Sequence, residues 1–375
     1  MSQSLNRIDR ANSGSRFYLP QLDGLRFFAF LLVFVSHHGL LQSTRFRILR
    51  EEGWIGVDLF FALSAFLFTN LLTQEQRQAG GISFRWFYLR RVLRLWPAYF
   101  AYVGICLLVT LLVGHLDHGT LGIRALGLVT FTDNLFAARG GFNPILFTPH
   151  LWSICYEVQY YLAIPPAIWI FSKLNHNLRG IGMVLLVCVG WSTKAWLIAS
   201  GDAHLAVWTL PLAHFESIAL GCLVAYSADK RTFQHLPGGV AFGIGTSCFV
   251  LQCLLPSADI SSIALFPKYL LSGLASAFWI QSALTSPRLS AGLAHPWLVH
   301  LGKRSYGLYL YHLGSIVVVA MILKRIPGKL SPDGPISFLL SLLVTWVAAY
   351  LSYRWLESPF LRRKKHFEVV DSRPI

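Results

Sequence analysis

Long apolar runs recur along the whole chain, and about ten of them reach the ~20 residues that a helix needs to cross a bilayer. The runs lie at 22–42, 54–73, 95–114, 151–171, 180–199, 205–226, 239–255, 263–285, 305–323 and 336–356. A spanning helix satisfies its own backbone groups in lipid, and alternating strand-like segments are absent from the sequence. The pattern therefore predicts an all-α protein, a polytopic transmembrane bundle of about ten helices.

A further apolar patch at 121–138 is interrupted by Thr130, Thr132, Asp133 and Asn134. We expect it to be re-entrant or interfacial. If it spanned the bilayer, the orientation of every later helix would reverse.

The first run carries Asp23 and Arg26 near its start and His37 and His38 near its end. Ionisable side chains at membrane depth cost about 2.5–3.5 kcal/mol each, so they indicate function by default. Asp23 and His37 are separated by about 21 Å of helix rise. We expect His37 to lie deep in the protein as a neutral general base for a hydroxyl. A histidine that only hydrogen-bonds a neighbouring helix is about equally well supported, and His38 is interpreted as structural.

Composition agrees with a membrane protein. The 375 residues are 54% hydrophobic and 13% charged, where soluble domains are nearer 25% charged. The formal net charge of +15 is most simply explained by basic cytoplasmic loops, and nucleic acid is not expected as a partner. Binding of an anionic substrate is an alternative use of part of this charge, and composition does not separate the two. The six cysteines form no CxxC pair, so we expect neither a metal nor a disulfide framework.

The distribution of Lys and Arg places both termini in the cytoplasm. We divide the chain into a cytoplasmic segment 1–21, a membrane domain 22–358 and a basic cytoplasmic tail 359–375. The N-terminal segment has no signal-peptide pattern, and the first apolar run is predicted to be a retained helix. No stretch has the composition of a second, soluble domain.

The stretch 85–99 places Arg91 and Arg94, together with Arg90, near the cytoplasmic start of a predicted helix. Guanidinium groups bind phosphate oxygens in a bidentate manner, so these residues are candidates for a phosphate site. Attraction to anionic lipid headgroups is the ordinary alternative.

Two further apolar stretches contain carboxylates. Asp58 lies in 53–68 with Ser64, and it needs a partner such as His37 or an arginine. Helix packing through small and polar residues is the alternative for this stretch. Glu157 lies beside Trp152 and Tyr156 in 150–165, where aromatic rings and a carboxylate suit a sugar. An interfacial aromatic belt explains most of the rings, although not Glu157.

Near the end of the chain, Tyr306 and His312 lie in the stretch 302–313, at the start of another predicted helix. The stretch 353–365 places Glu357 and Pro359 where the last predicted helix ends. Arg354 and Glu357 are spaced so that they can pair with each other.

Six of these motifs, in order from about residue 20 to 362, resemble the integral-membrane acyltransferases called acyltransferase family 3. The matching segments are D-G-L-R at 23–26 followed by His37, G-V-D-L-F-F-A-L-S-A-F at 56–66, R-V-L-R at 91–94, H-L-W-S-I-C-Y-E-V-Q-Y-Y at 150–161, S-Y-G-L-Y-L-Y-H at 305–312, and E-S-P at 357–359 with Arg362. Ala65, Val158 and Ser358 depart from the family pattern, at positions where Gly, Glu and a basic residue are usual. The departures leave His37 and the arginine pair intact, so the resemblance implies an active enzyme.

The resemblance implies transfer of an acyl group, usually acetyl, from cytoplasmic acyl-CoA to a hydroxyl of a carbohydrate or glycolipid. Exopolysaccharide, O-antigen, lipo-chitooligosaccharide and macrolide acceptors occur in the family, and the bacterial inner membrane is the implied location. Arg26, Arg91 and Arg94 are then expected to bind acetyl-CoA, and His37, Asp58 and Glu157 to be catalytic. Tyr306, His312, Trp152 and Tyr156 are expected to contact substrate.

A cavity should then connect His37 to Arg91 and Arg94.

A glycan transporter or flippase also fits polar residues in a membrane cavity, although no internal repeat is visible. A structural scaffold is disfavoured by the cost of the buried ionisable groups.

Overall fold

The computed structural model describes residues 17–38, 47–114, 116–201, 204–229, 236–256, 262–326 and 331–370. Within these ranges all regular structure is helical. Predicted positions that fall at 39–42 and 371–375 lie outside the described residues.

Seventeen α-helices follow one another in this part of the chain. They are α1 Pro20–His37, α2 Arg47–Glu52, α3 Ile55–Ala79, α4 Phe84–Val113, α5 His118–Val129, α6 Asp133–Gly140, α7 Trp152–Lys173, α8 His176–Ala199, α9 His204–Thr209, α10 Glu216–Asp229, α11 Gly238–Leu254, α12 Leu265–Thr285, α13 Pro287–Leu293, α14 Pro296–Lys303, α15 Ser305–Arg325, α16 Pro335–Ser352 and α17 Ser358–Lys364. A π-helical turn, Tyr353–Glu357, joins α16 to α17.

The helix ends follow local sequence signals. Gly80 and Gly114 adopt left-handed φ angles of 71° and 67° just after α3 and α4, a conformation that other residues adopt only with strain. Asp117 caps α5 by accepting a hydrogen bond from the Thr120 N–H, which lowers the pKa of that carboxyl group.

Four helical stretches of the described chain are long and apolar enough to cross a membrane: Ile48–Ala79, Phe84–Val113, Ser305–Arg325 and Pro335–Phe367. Shorter apolar helices lie at Val184–Ala199, Glu216–Ser227 and Gly238–Leu254. The prediction of an all-helical membrane protein is therefore confirmed, whereas a count of ten crossings stays a prediction.

Two predicted segments differ in the structure. The single helix predicted at 205–226 is divided into α9 and α10, because residues 210–215 form a turn that carries Pro211 and His214. The patch at 121–138 forms α5 and α6, which meet through an ion pair of Arg124 with Asp133 at 3.1 Å. Of the polar residues that interrupt this patch, Asp133 joins the two short helices, whereas Asn134 bonds to Gln159 of α7 and to the Thr209 carbonyl oxygen.

The core surrounds α1 and α3, and close backbone contacts fix the start of α1. A Cβ atom added at Gly302 would lie 1.8 Å from the Asp23 carbonyl oxygen, and one added at Gly24 would lie 2.1 Å from the Leu293 carbonyl oxygen. Only glycine permits this approach of α13 and α14 to the first turn of α1. The contact fixes the backbone of Asp23, whose carboxylate pairs with Arg26.

Candidate active site

A cavity with an empty volume of about 660 Å³ opens between α1, α3, α4, α7 and α15. Its lining combines aromatic rings with three guanidinium groups and one carboxylate. The lining residues are Arg26, Val57, Phe60, Phe61, Ser64, Phe68, Arg91, Arg94, Leu95, Ser153, Ile154, Glu157, Tyr161, Ser305, Tyr306 and Tyr309. The structure therefore brings together five of the predicted site residues: Arg26, Arg91, Arg94, Glu157 and Tyr306.

The arginines of this cavity are held in different ways. Arg26 lies 3.5 Å from the Asp23 carboxylate, measured from Nη1 to Oδ1. Arg91 lies over the rings of Phe68 and Phe87, at 4.6 and 5.5 Å from their centroids. Its Nε is buried and has no hydrogen-bond partner among the described residues. Rings orient a guanidinium by cation–π attraction but accept few of its protons, which leaves donors for an anion.

Glu157 supplies the cavity's carboxylate, and Ser64 Oγ donates a 2.8 Å hydrogen bond to Glu157 Oε1. The pairing joins two residues that are 93 positions apart in the sequence. With three arginines against this one carboxylate, the lining attracts anions.

Tyr309 and Ser153 are the cavity residues that lie next to the histidines. Their hydroxyl oxygens are 2.6 Å apart. The Tyr309 ring contacts the rings of His150 and His312, each at a centroid distance of 5.4 Å.

Beyond Tyr309 lies a cluster of three histidines: His37 from α1, His312 from α15 and His150 from the turn before α7. His312 Nε2 lies 3.2 Å from His37 Nδ1, and the His150 and His312 rings are 4.8 Å apart. His312 Nδ1 contacts the Tyr309 carbonyl oxygen at 2.5 Å, and His37 Nδ1 contacts the Val33 carbonyl oxygen at 2.9 Å. His312 is fully buried, whereas His37 is exposed.

Two expectations about His37 can be compared with the structure. The side chain is solvent-accessible at the last residue of α1, and its place deep in the protein stays a prediction. The cavity lining includes Arg91 and Arg94 but not His37, and Tyr309 and Ser153 are the lining residues on the side of the histidines, so a continuous connection stays a prediction. His38, by contrast, is buried against Phe34 and Phe338, and its structural role stays a prediction.

Asp58 belongs to a different cluster. It is fully buried, and its Oδ1 lies 2.8 Å from His214 Nε2, while Ser272 Oγ donates to its other oxygen. The predicted partner, His37 or an arginine, was therefore wrong. Asp58 is not part of the cavity lining, although its neighbour Val57 is.

Trp152 and Tyr156 pack in the same region as Asp58 and do not line the cavity. Trp152 packs on Trp208 with a centroid distance of 5.1 Å, and Tyr156 stacks on Phe61 at 4.6 Å. The Tyr156 hydroxyl donates to the His214 carbonyl oxygen. These contacts place both rings in the core around His214.

The structure contains two more buried ion pairs, Lys194 with Glu216 and Lys268 with Glu52. Both lysines are almost completely buried. Sequence reasoning did not single them out, although a lysine inside an apolar run is a readable signal. His150 is the first residue of the motif at 150–161, but its sequence position predicted no role for it. No signal in the sequence indicated that Tyr309 and Ser153 are its neighbours.

The fold and this site define a helical membrane protein with a cation-lined cavity beside an exposed imidazole. Comparison with known families then gives the identity: residues 19–354 match the family model described as "Acyltransferase domain", so the chain belongs to that acyltransferase family. The resemblance drawn from the six sequence motifs is thereby confirmed.

Curated relatives carry names of the same kind. O-acetyltransferase OatA of Staphylococcus aureus (strain NCTC 8325 / PS 47) is 26% identical over 377 residues, covering 95% of this chain and 59% of OatA. The OatA of strain COL gives the same figures. A further protein of strain COL, named as a candidate O-acetyltransferase, is 27% identical over 376 residues with the same coverage. This chain thus spans about three-fifths of the length of these relatives. No solved structure matches the chain.

Proposed function

We propose that this chain is a membrane O-acyltransferase that moves an acyl group, most simply acetyl, from acyl-CoA to a hydroxyl of a carbohydrate or glycolipid. The family and the names of the relatives support acyl transfer to oxygen. The observation that carries the proposal is the arrangement of the site. A cation-lined cavity and an exposed imidazole lie on the two sides of Tyr309.

The donor fits the cavity by charge. The nucleotide end of CoA carries several phosphate charges, and Arg26, Arg91 and Arg94 are the cations of the lining. Bidentate guanidinium contacts suit phosphate oxygens. The thin pantetheine arm would then extend towards Tyr309, and displacement of the Tyr309 hydroxyl from Ser153 would give the thioester access to His37.

The hydrogen-bond contacts of the two histidines support Nε2 of His37 as the base. A carbonyl oxygen only accepts, so His312 Nδ1 must donate to Tyr309 and its neutral Nε2 must accept. His37 Nδ1 then carries a proton and donates to both Val33 and His312. His37 Nε2 is left with a free lone pair on an exposed side chain.

The chemical step follows from that tautomer. His37 Nε2 takes the proton of the acceptor hydroxyl while the hydroxyl oxygen attacks the thioester carbonyl carbon. The carbon–sulfur bond breaks, and the departing sulfur takes the proton from the His37 imidazolium. The products are the acyl ester and CoA thiol.

Topology is part of the proposal. Ten membrane crossings with both termini in the cytoplasm would place Arg91 and Arg94 at the cytoplasmic face, where acyl-CoA is made. The other end of α1 would then present His37 to an acceptor at the outer face of a bacterial inner membrane.

Purified protein with radiolabelled acetyl-CoA and a panel of oligosaccharides tests the proposal. We expect label in an ester that mild alkali removes from the saccharide. Label that stays with CoA, together with movement of unmodified glycolipid across vesicles, would instead establish a transporter. Mass spectrometry of surface glycans from cells with and without the gene then identifies the acceptor by a gain of about 42 Da per acetyl group.

The arginines give a prediction about donor affinity. Arg91→Ala or Arg94→Ala should raise the KM for acyl-CoA by at least about tenfold, since a charge-assisted hydrogen bond is worth ~1.5–3 kcal/mol. The maximal rate at saturating donor should change less. Arg85→Ala is the matched control, because Arg85 lies on the same helix and is exposed. An unchanged KM in both cavity variants contradicts the donor site.

His312 gives a second prediction, as a positioning residue. His312→Leu removes the acceptor for His37 Nδ1–H and should lower kcat by about 10–100-fold, as loss of an orienting partner does elsewhere. His312→Gln keeps an acceptor there and should recover most of the rate, and KM for the donor should stay constant in both. Equal losses of kcat in the two variants would show that His312 has only a packing role.

A further inference from the structure

The basic stretch predicted as a cytoplasmic tail folds back onto α4. Phe367 stacks on Trp86 with ring centroids 5.0 Å apart and planes at 21°. Arg90 Nη1 donates a 2.7 Å hydrogen bond to the Phe367 carbonyl oxygen. Leu361, in the middle of α17, is buried. The described part of this stretch is therefore docked on the helix that carries Arg91 and Arg94.

Arg90 is fully engaged in holding this segment. Its Nη2 lies 3.1 Å from Glu75 Oε2, and Glu75 Oε1 accepts a 2.8 Å hydrogen bond from the Ser83 N–H. Arg90 is absent from the cavity lining, unlike Arg91 and Arg94. The sequence analysis grouped Arg90 with Arg91 and Arg94. In the structure Arg90 anchors the docked segment, whereas Arg91 and Arg94 line the cavity.

Lys364 differs from the other cations of the docked segment. Its side chain is only 12% exposed, whereas those of Arg362, Arg363 and Lys365 are exposed. Its Nζ lies 3.0 Å from Glu368 Oε1, one turn further along the chain. It lies one helical turn before Phe367, whose carbonyl oxygen Arg90 binds, so the docked segment places Lys364 beside the turn of α4 that carries Arg91 and Arg94.

A sheltered lysine beside two arginines is electrostatically unfavourable unless anions share the site. Glu368 supplies one negative charge, and the buried Nε of Arg91 has no partner among the described residues. A ligand with several phosphate charges would satisfy all three cations at once.

We infer that Lys364 binds the same phosphate-bearing ligand as Arg91 and Arg94, so that the docked C-terminal segment forms part of the donor site. The inference rests on the proposed function, in which the ligand is the phosphorylated nucleotide end of acyl-CoA. The phosphate of an anionic lipid headgroup has the same chemistry, and the experiment separates the two sources.

The test measures the Kd of CoA by titration calorimetry on the full chain in nanodiscs of neutral phosphatidylcholine. We expect Lys364→Ala to bind CoA about tenfold more weakly, a change equivalent to ~1.4 kcal/mol. Lys364→Met, which keeps most of the apolar stem, should show the same loss if the fold is retained. Lys365→Ala is the matched control and should stay within about twofold of the wild type.

Each other outcome has a definite meaning. Unchanged CoA affinity in both Lys364 variants overturns the inference and leaves the arginine site standing. Failure of the wild-type protein to bind CoA overturns the proposed donor instead. A third outcome is that Lys364→Ala binds CoA normally, and that added phosphatidylglycerol competes with CoA in the wild type but not in this variant. In that case Lys364 binds lipid, and the inference is wrong.

Discussion

The His37→Ala protein should bind acyl-CoA as tightly as the wild type and transfer the acyl group at least about 10²-fold more slowly. General-base catalysis contributes ~10²–10⁴-fold, and the free Nε2 lone pair of His37 is the group assigned to that step. Binding should survive because the arginines of the cavity lie on the other side of Tyr309. Rates of ester formation and the Kd of CoA, measured on the same preparation, check both parts.

Two variants make this result specific to His37. His118→Ala removes an exposed histidine from α5, far along the chain from the cluster, and should leave the rate unchanged. His37→Gln offers an amide that hydrogen-bonds but is not basic, so it should be as slow as His37→Ala. A His37→Gln protein with nearly normal rate would show that the side chain orients the acceptor rather than removing its proton.

The second large effect is expected on stability. Asp58→Ala would leave His214 and Ser272 without their shared acceptor inside the core. Breaking a buried charged pair by removing one partner costs about 3–5 kcal/mol. We expect a lower yield of folded protein and a lower unfolding midpoint in detergent. Asp58→Asn retains a hydrogen-bonding oxygen and should lose less.

The same variants decide whether Asp58 is catalytic. Thr69→Val is a control on the same helix, because Thr69 is equally buried but makes only a 3.3 Å contact to Cys222 Sγ. If Asp58 is structural, folded Asp58→Asn protein should transfer acyl groups at close to the wild-type rate per molecule. A well-folded Asp58→Asn protein that transfers acyl groups about 100-fold more slowly would show that Asp58 has a catalytic role.

The sequence was most informative at charged residues in or near apolar segments, where the free-energy cost of placing a charge in lipid is high. Arginines near a predicted membrane boundary and an intramembrane glutamate predicted the cavity residues Arg91, Arg94 and Glu157, and the structure brings them together. Each of the ten apolar runs coincides with observed helix, whereas the short helices α2, α5, α6, α13, α14 and α17 were not predicted by run length. Both predictions rest on the energetic cost of polar groups in lipid, which acts residue by residue.

Partner choice could not be predicted in this way. Asp58 pairs with His214, 156 positions later by numbering, because a turn at 210–215 brings that imidazole into the core. Nothing local to either residue specifies the contact. The same holds for His150, whose position against His312 depends on how two distant helices pack.

The hydrogen-bonded pair of Tyr309 and Ser153 has a consequence for the cell as well as for the reaction. A continuous aqueous path from the arginines to the exposed imidazole would let protons and small ions leak down their gradients. In the proposed reaction, the contact of these two hydroxyls would limit such a leak in the resting protein. A thioester arm that parted them would itself fill the opening, so the membrane potential would be preserved through each turnover.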